Sequence, residues 1–438
     1  MKYPRVLVVV MGRINAADNF NNGLLLRNLF ARWPKENLAQ IYSGGDNGDA
    51  GYFGHYYKLG PRDRRLGWLF YKLKSEALKE SAEEMPILTG NRASISRVAT
   101  LRVFGNRMLM DTGLYELIFR PRLSRAMTEW VEYFRPDFIF AQGYNLAFTW
   151  LPLMLAKRFR LPIVYYPTDD WSENCYRPEL GSKGILARLA RRTVIVSARQ
   201  LVDRATVCLA FNPFMQEEYR KRYDKEFTVL MHGDDVSRFE TMVPCRQVSS
   251  EVFWIVSTGS FDRHRLPLLF DLDEACGILS SKGFNIRATV FPVQFSQVAE
   301  LGNKFRFIQF QPCPSHDALV SVLRAADVLF LPERFDETAS LIRSSVSSKA
   351  HLFMFSGRPI VVYSDPMTGI VRYAREDGWA AVVDRRDPLL LAQTFEVLIT
   401  REDERQRLLA CAQRTAMKNH HLPTIQTTFY DLLCSVLP

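Results

Sequence analysis

No C-x-x-C pair occurs in this sequence. Its seven cysteines, at 175, 208, 245, 276, 313, 411 and 434, are scattered and odd in number. That pattern excludes the usual zinc spacings and a disulfide framework, and fits buried thiols in a reducing cytoplasm. There is no apolar run of the roughly 18 residues that a spanning helix needs. The apolar stretch Val6 to Met11 is short and lacks a small-residue cleavage site. It therefore reads as a buried first strand and not as a signal peptide. No zinc-finger spacing, RNP-type strand or long basic run marks a nucleic-acid module. No G-x-G-x-x-G follows the first strand either, so the dinucleotide fingerprint is missing.

At 438 residues the chain is too long for one ordinary core, and two domains are expected. Its 47% hydrophobic and 24% charged content is that of a globular protein. The net charge of +10 attracts polyanions. Without a nucleic-acid module, the expected partners are phosphate-bearing substrates or anionic lipid head groups.

Apolar runs at 137–141, 162–166, 206–210 and 227–231 alternate with helical segments, and the rhythm repeats at 254–258, 285–291, 305–310, 327–332 and 360–363. A polar stretch with Pro244 separates the two series at 240–250. The fold class is α/β: two Rossmann-like domains, 1–240 and 251–410, facing a central cleft, with 411–438 a C-terminal helix packing back on the first domain.

Ligands in such folds sit at the carboxyl ends of the strands. In the first half those positions include Gly12, Gly23 ahead of a helix, and Asp169-Asp170 beside Trp171. The glycines permit a phosphate or simply turn the chain. The two aspartates can hold sugar hydroxyls or move a proton, or one of them caps the next helix. In the second half Gly259 precedes Arg263 and Arg265, which either pair with phosphate oxygens or lie exposed. Residues 326–366 read strand, polar turn, helix, strand. The turn holds Glu333 and Arg343, and Ser344, Ser345, Ser348 and Lys349 open the helix with cap-type hydroxyls. That is an anion site, or a capped helix with solvated cations. Basic and large apolar residues interleave over 58–75, and 92–125 is rich in arginine. Both stretches suit an anionic membrane surface or a solvated helix with one core face.

At these residues the chain resembles the GT-B fold glycosyltransferases of the large retaining family numbered four. The stretch from His232 to Phe239 is similar to the family's N-G-V-D-x-x-x-F run, with His first. Gly259 and Arg265 match positions of its G-R-L-x-x-x-K-G loop, with Ser260 in place of Arg. Ala326 to Pro332 matches its A-D-V strand, and Lys349 to Ile360 a variant ending G-K-P-V-I. The family's two glutamates, eight apart, are replaced by Ser344 and Leu352. The second usually grips the donor ribose, which leaves His351 or Glu333 for that contact.

The resemblance implies transfer of a sugar from a nucleoside-diphosphate donor to a glycan or lipid-linked acceptor, with retention of configuration. It implies neither metal nor cofactor, because basic side chains and backbone N–H groups neutralise the leaving diphosphate. Arg263, Arg265 and Lys349 and the 344–348 loop would bind the donor, with Gly12 and Gly23 near its phosphates. Asp169 or Asp170 would orient the acceptor or the sugar. The expected setting is surface polysaccharide or glycolipid synthesis, in the cytoplasm and peripherally at the inner face of the membrane. The alternatives are a nucleotide-sugar epimerase of the same fold and a non-catalytic binding or scaffold protein, which the missing glutamates favour.

Overall fold

The computed structural model describes residues 3–16, 21–44, 50–69, 114–177, 179, 182, 184–243, 251–293, 295 and 299–437. The first half supplies strands β1 (Val6–Val9), β2 (Leu38–Tyr42), β3 (His55–Lys58), β4 (Phe138–Ala141), β5 (Ile163–Tyr165), β6 (Val207–Ala210) and β7 (Thr228–Val229). They form one parallel sheet among the described residues, in the order β3-β2-β1-β4-β5-β6-β7. The second half supplies β8 (Phe253–Gly259), β9 (Ile286–Pro292), β10 (Ile308–Phe310), β11 (Val328–Pro332), β12 (Ile360–Tyr363) and β13 (Ala381–Val383). These form a second parallel sheet, β10-β9-β8-β11-β12-β13.

Central strands such as β1, β4, β11 and β12 are buried along their whole length. Helices covering both faces of a sheet produce such uninterrupted apolar runs. Strand order reverses at β1/β4 in one sheet and at β8/β11 in the other, which is where ligand crevices open in this kind of fold.

The helices start where local chemistry sets them. Asn145, Asn212 and Ser315 accept hydrogen bonds from backbone N–H groups three residues on, and Pro213 occupies the first turn after Asn212. The chain then crosses between the halves twice. His232-Gly233-Asp234 leads out of the first sheet, and His420 returns alongside it: the Asp234 N–H donates to the His420 carbonyl at 3.1 Å, and Leu422 N–H to Asp234 at 3.2 Å. Gly233 is required there, since a Cβ would meet Ile425 Cδ1 at 2.5 Å and the His420 carbonyl at 2.9 Å. Helix Glu402–Asn419 packs on the second half, with Leu408, Ala412 and Ala416 buried. Helix Leu422–Cys434 joins the first core through Ile425, Phe429 and Leu433, and Phe429 rings against Phe30 at 5.1 Å.

Residues 244–250, most of the expected linker, lie outside the described residues, as does 70–113, which holds much of both basic stretches. The described part of the first, 58–69, is not one amphipathic helix face. Asp63 turns inward to accept from Ser124 Oγ at 2.5 Å, and Arg64 is buried with Nη1 3.4 Å from the Phe119 carbonyl. Leu66 and Trp68 are exposed. No helix among the described residues is long and apolar enough to cross a membrane.

Candidate active site

A cleft of about 570 Å³ opens between the two sheets. Such a volume suits a ligand the size of a sugar nucleotide. The first half contributes Asn22, Leu24, Tyr144, Thr168, Asp169 and His232. The second contributes Gly259, Arg265, Glu333, the 345–349 loop, His351 and Leu352.

Three charged groups anchor the second wall. Arg265 Nε and Nη2 lie 3.0 and 2.5 Å from the same Glu333 oxygen. Lys349 Nζ donates to the Thr258 carbonyl at 3.0 Å. Burial works against the Glu333 carboxylate, but Arg265 and Lys349 beside it hold its pKa below the ordinary value. Burial lowers Lys349 to about 8, even with Glu333 near. The cluster thus carries two cations beside the Glu333 carboxylate, with Asp262 close enough to act on both of them. The end of β8 makes room for it. Gly259 has φ 129°, and a Cβ there would stand 2.8 Å from Lys349 Nζ.

Glu333, expected to contact the donor, lines the cleft, where its Oε2 pairs with Arg265. Ser345 and Ser348 line the cleft with Lys349, but not as caps. The helix runs Ala350–Phe355, Lys349 is its N-cap, and no side chain caps it. The serines form the loop before it.

Several expected donor contacts lie elsewhere. Arg343 reaches across the domains to Glu218 at 2.6 Å. Ser344 is buried at the same interface, where its carbonyl accepts from Asn212 Nδ2 at 2.9 Å. Arg263 is exposed against His264 and is not part of the cleft wall. Gly12 is exposed, with nothing within 4 Å of a would-be Cβ. Gly23 sits inside the first turn of helix Asn21–Leu29, between the cleft residues Asn22 and Leu24.

The two adjacent aspartates part company. Asp169 faces the cleft, open to its solvent but walled by protein, and burial pushes its carboxyl up to about 6. Asp170 is buried and gripped by Arg222 through two bonds of 2.7 and 2.9 Å, with Tyr219 Oη at 3.1 Å. Asp170 is not among the cleft-lining residues, and both of its oxygens are engaged by Arg222. Beside Asp169, the Tyr144 and Thr168 hydroxyls bond each other.

Residues that the sequence did not single out include Tyr144, Thr168 and His316. The first two come from separate loops and His316 opens helix His316–Ala325, and no spacing rule joins them.

The comparisons agree with this architecture. Sucrose-phosphate synthase from Thermosynechococcus elongatus superposes with a TM-score of 0.61 at 12% identity, covering 98% of both chains. The α,α-trehalose 6-phosphate synthase from Burkholderia multivorans gives 0.61 at 12% identity, over 99% of each. HepE of Anabaena, in complex with UDP and glucose, gives 0.56 at 13%, covering 99% of this chain and all of that one. At such identities the likeness is one of fold, and the fold is GT-B: two Rossmann-like domains facing a cleft. Residues 75–230 match the family model of the glycosyl transferase 4-like domain. The chain thus has the GT-B fold, and within it residues 75–230 are similar to the glycosyl transferase 4-like domain. No curated protein matches it in sequence.

Proposed function

We propose that this protein transfers a sugar from a nucleoside-diphosphate sugar to a glycan or lipid-linked acceptor, with retention of configuration. The observation that carries the reading is the Arg265–Glu333–Lys349 cluster at the carboxyl ends of β8 and β11, facing Asp169 across the cleft. Two cations fixed before the ligand arrives need no reorganisation when charge develops on a departing diphosphate. Arg265 supplies a forked donor, and Lys349 a charge that a phosphate would hold in its protonated form. Asp169, with its carboxyl near 6, orients an acceptor or sugar hydroxyl and can share its proton. The UDP bound in HepE supports a nucleotide as the donor's leaving part.

Peripheral contact with an anionic membrane, and a place in surface polysaccharide or glycolipid synthesis, belong to the same proposal. The net charge of +10 and the exposed Leu66 and Trp68 beside a basic stretch support it. Incubating the protein with nucleoside-diphosphate sugars and lipid-linked or oligosaccharide acceptors tests the reaction. The expected product keeps the donor's anomeric configuration by NMR. Inverted product, or donor isomerised with no acceptor consumed, contradicts the reading. Flotation with anionic liposomes tests the membrane contact, which high salt should abolish.

A further inference from the structure

The loop that enters the cleft at Ser345 starts at the domain interface. Three side chains of the first half hold its start. Asn174 Nδ2 donates to the Leu341 carbonyl at 2.9 Å, and Asn212 Nδ2 to the Ser344 carbonyl at 2.9 Å. Glu218 Oε1 accepts from Arg343 Nη2 at 2.6 Å. On its other side the loop leans on helix Gly369–Asp377, where a Cβ at Gly369 would stand 2.5 Å from the Ser345 carbonyl oxygen. At Lys349 the same loop meets Glu333 and Arg265.

None of Asn174, Asn212, Glu218 and Arg343 lines the cleft, and the diphosphate reading gives them no part. They belong instead to the elements that support Asp169. Asn174 ends helix Trp171–Asn174, which directly follows Asp169 and Asp170. Glu218 lies on helix Pro213–Tyr223, and the oxygen that takes Arg343 also takes Arg222 Nη2 at 3.1 Å. Arg222 grips Asp170, and Tyr219 Oη lies 3.3 Å from the Asp169 carbonyl. The loop of one half is thus tied to the support of the cleft carboxylate in the other.

This tie adds little to folding. Arg343 keeps 55% of its side chain exposed and Glu218 28%, and ion pairs so placed are weak. What they can do is fix geometry. Burial works against the Glu218 carboxylate, but Arg222 and Arg343 hold its pKa below the ordinary value, so the bridge is ionised at neutral pH. A loop with several shapes binds an anion only through the fraction that has the right one. Contacts that raise this fraction raise affinity without touching the ligand. We propose that Arg343, Glu218 and Asn174 are positioning residues: by clamping 341–344 to the first half they shape the diphosphate-binding loop, so that the second half binds donor well only when docked on the first. This rests on the reading of loop 345–349 as a diphosphate site.

The test is calorimetry with UDP, GDP and ADP on wild type, Arg343→Met, Arg343→Lys, Glu218→Gln and Asn174→Ala. Arg372→Met is the control: Arg372 pairs with Glu217 at 3.3 Å across the same interface, but does not hold the loop. Thermal melts check that each variant is folded. The preferred diphosphate should bind about tenfold more weakly to Arg343→Met and Glu218→Gln, and about threefold more weakly to Asn174→Ala. Arg343→Lys should recover most of the loss, and Arg372→Met should stay within about twofold of wild type. Glu218→Gln separates positioning from charge alone, because losing a negative charge would by itself tighten the hold on an anion. Tighter or unchanged binding in Glu218→Gln overturns the inference and leaves the diphosphate reading standing. So does equal weakening in Arg372→Met, which marks a general loosening of the interface. A wild-type protein that binds none of the diphosphates overturns the reading of the cleft, and this inference with it.

Discussion

Arg265 Nε lies 3.0 Å from Glu333 Oε2, and the carboxylate so engaged also faces Lys349. The pair explains how a glutamate comes to be buried in the cleft wall: it and the guanidinium compensate and fix each other. Removing one member leaves a buried charge less well compensated. Arg265→Met should cost about 3 kcal/mol of stability, in the range for a broken buried pair. It should also weaken nucleoside-diphosphate binding. Arg265→Met with Glu333→Leu should regain most of the stability and none of the binding. Urea melts and calorimetry on the same samples separate the two effects.

Gly259 gives a second prediction. At φ 129° and with Lys349 Nζ where a Cβ would point, Gly259→Ala strains the backbone and displaces the lysine. A loss of roughly 1–3 kcal/mol is expected. Diphosphate affinity should fall in the same variant, read by calorimetry at matched temperature.

The pH dependence of binding follows from Lys349. Its ammonium, lowered to about 8 by burial, is charged below that pH and neutral above it. An anionic ligand favours the charged form. Diphosphate affinity should be level below about pH 7 and then fall by up to about tenfold per unit above pH 8, with proton uptake on binding. Lys349→Met should bind more weakly and lose this slope. Calorimetry in buffers of different ionisation enthalpy measures both.

The adjacent aspartates should behave oppositely. Asp169→Asn should bind the diphosphate as wild type does and lose turnover by about 100-fold or more. Asp170→Asn weakens the pairing of this buried carboxylate with the partly buried Arg222 guanidinium and should lower the melting temperature before it affects turnover per folded molecule. Steady-state rates and thermal melts on both variants check the split.

Four buried histidines, His232, His316, His351 and His420, cluster where the domains meet and predict acid sensitivity. His232 is lowered to about 3, and His316 and His420 to about 4, all by burial first. The unfolded chain titrates near 6.5, so between there and about pH 4 it binds more protons than the folded state. Stability is therefore intact above 6.5 and lost as pH falls, by about 1.4 kcal/mol per unit for each fully buried histidine. Urea melts at pH 7 and pH 5 should show the loss, and His420→Gln should show a shallower one.

The apolar runs that became β4, β8, β11 and β12 were legible because strands buried on both faces leave a continuous signal. The caps at Asn212 and Ser315 are likewise local, depending on neighbours only three residues away. Gly259, Arg265 and Lys349 could be named from loop positions after strands. What they do to one another could not, since Glu333 is 68 residues from Arg265. Arg343 and Ser344 read as site residues, yet they serve the domain interface through Glu218 and Asn212, both more than 120 positions earlier. Asp170 looked equivalent to Asp169 until Arg222 claimed it. The histidine cluster joins four distant positions and left no spacing to detect. Composition and period fix elements, while long-range pairing decides which charged residues remain available to a ligand.

The most direct test of the central claim is calorimetric titration of the wild-type protein and of Arg265→Ala/Lys349→Ala with UDP, GDP and ADP. Wild type should bind at least one of them at micromolar concentration, and the double variant at least about 100-fold more weakly while remaining folded. Equal affinity in the two proteins, or no binding to wild type at millimolar ligand, would contradict the account.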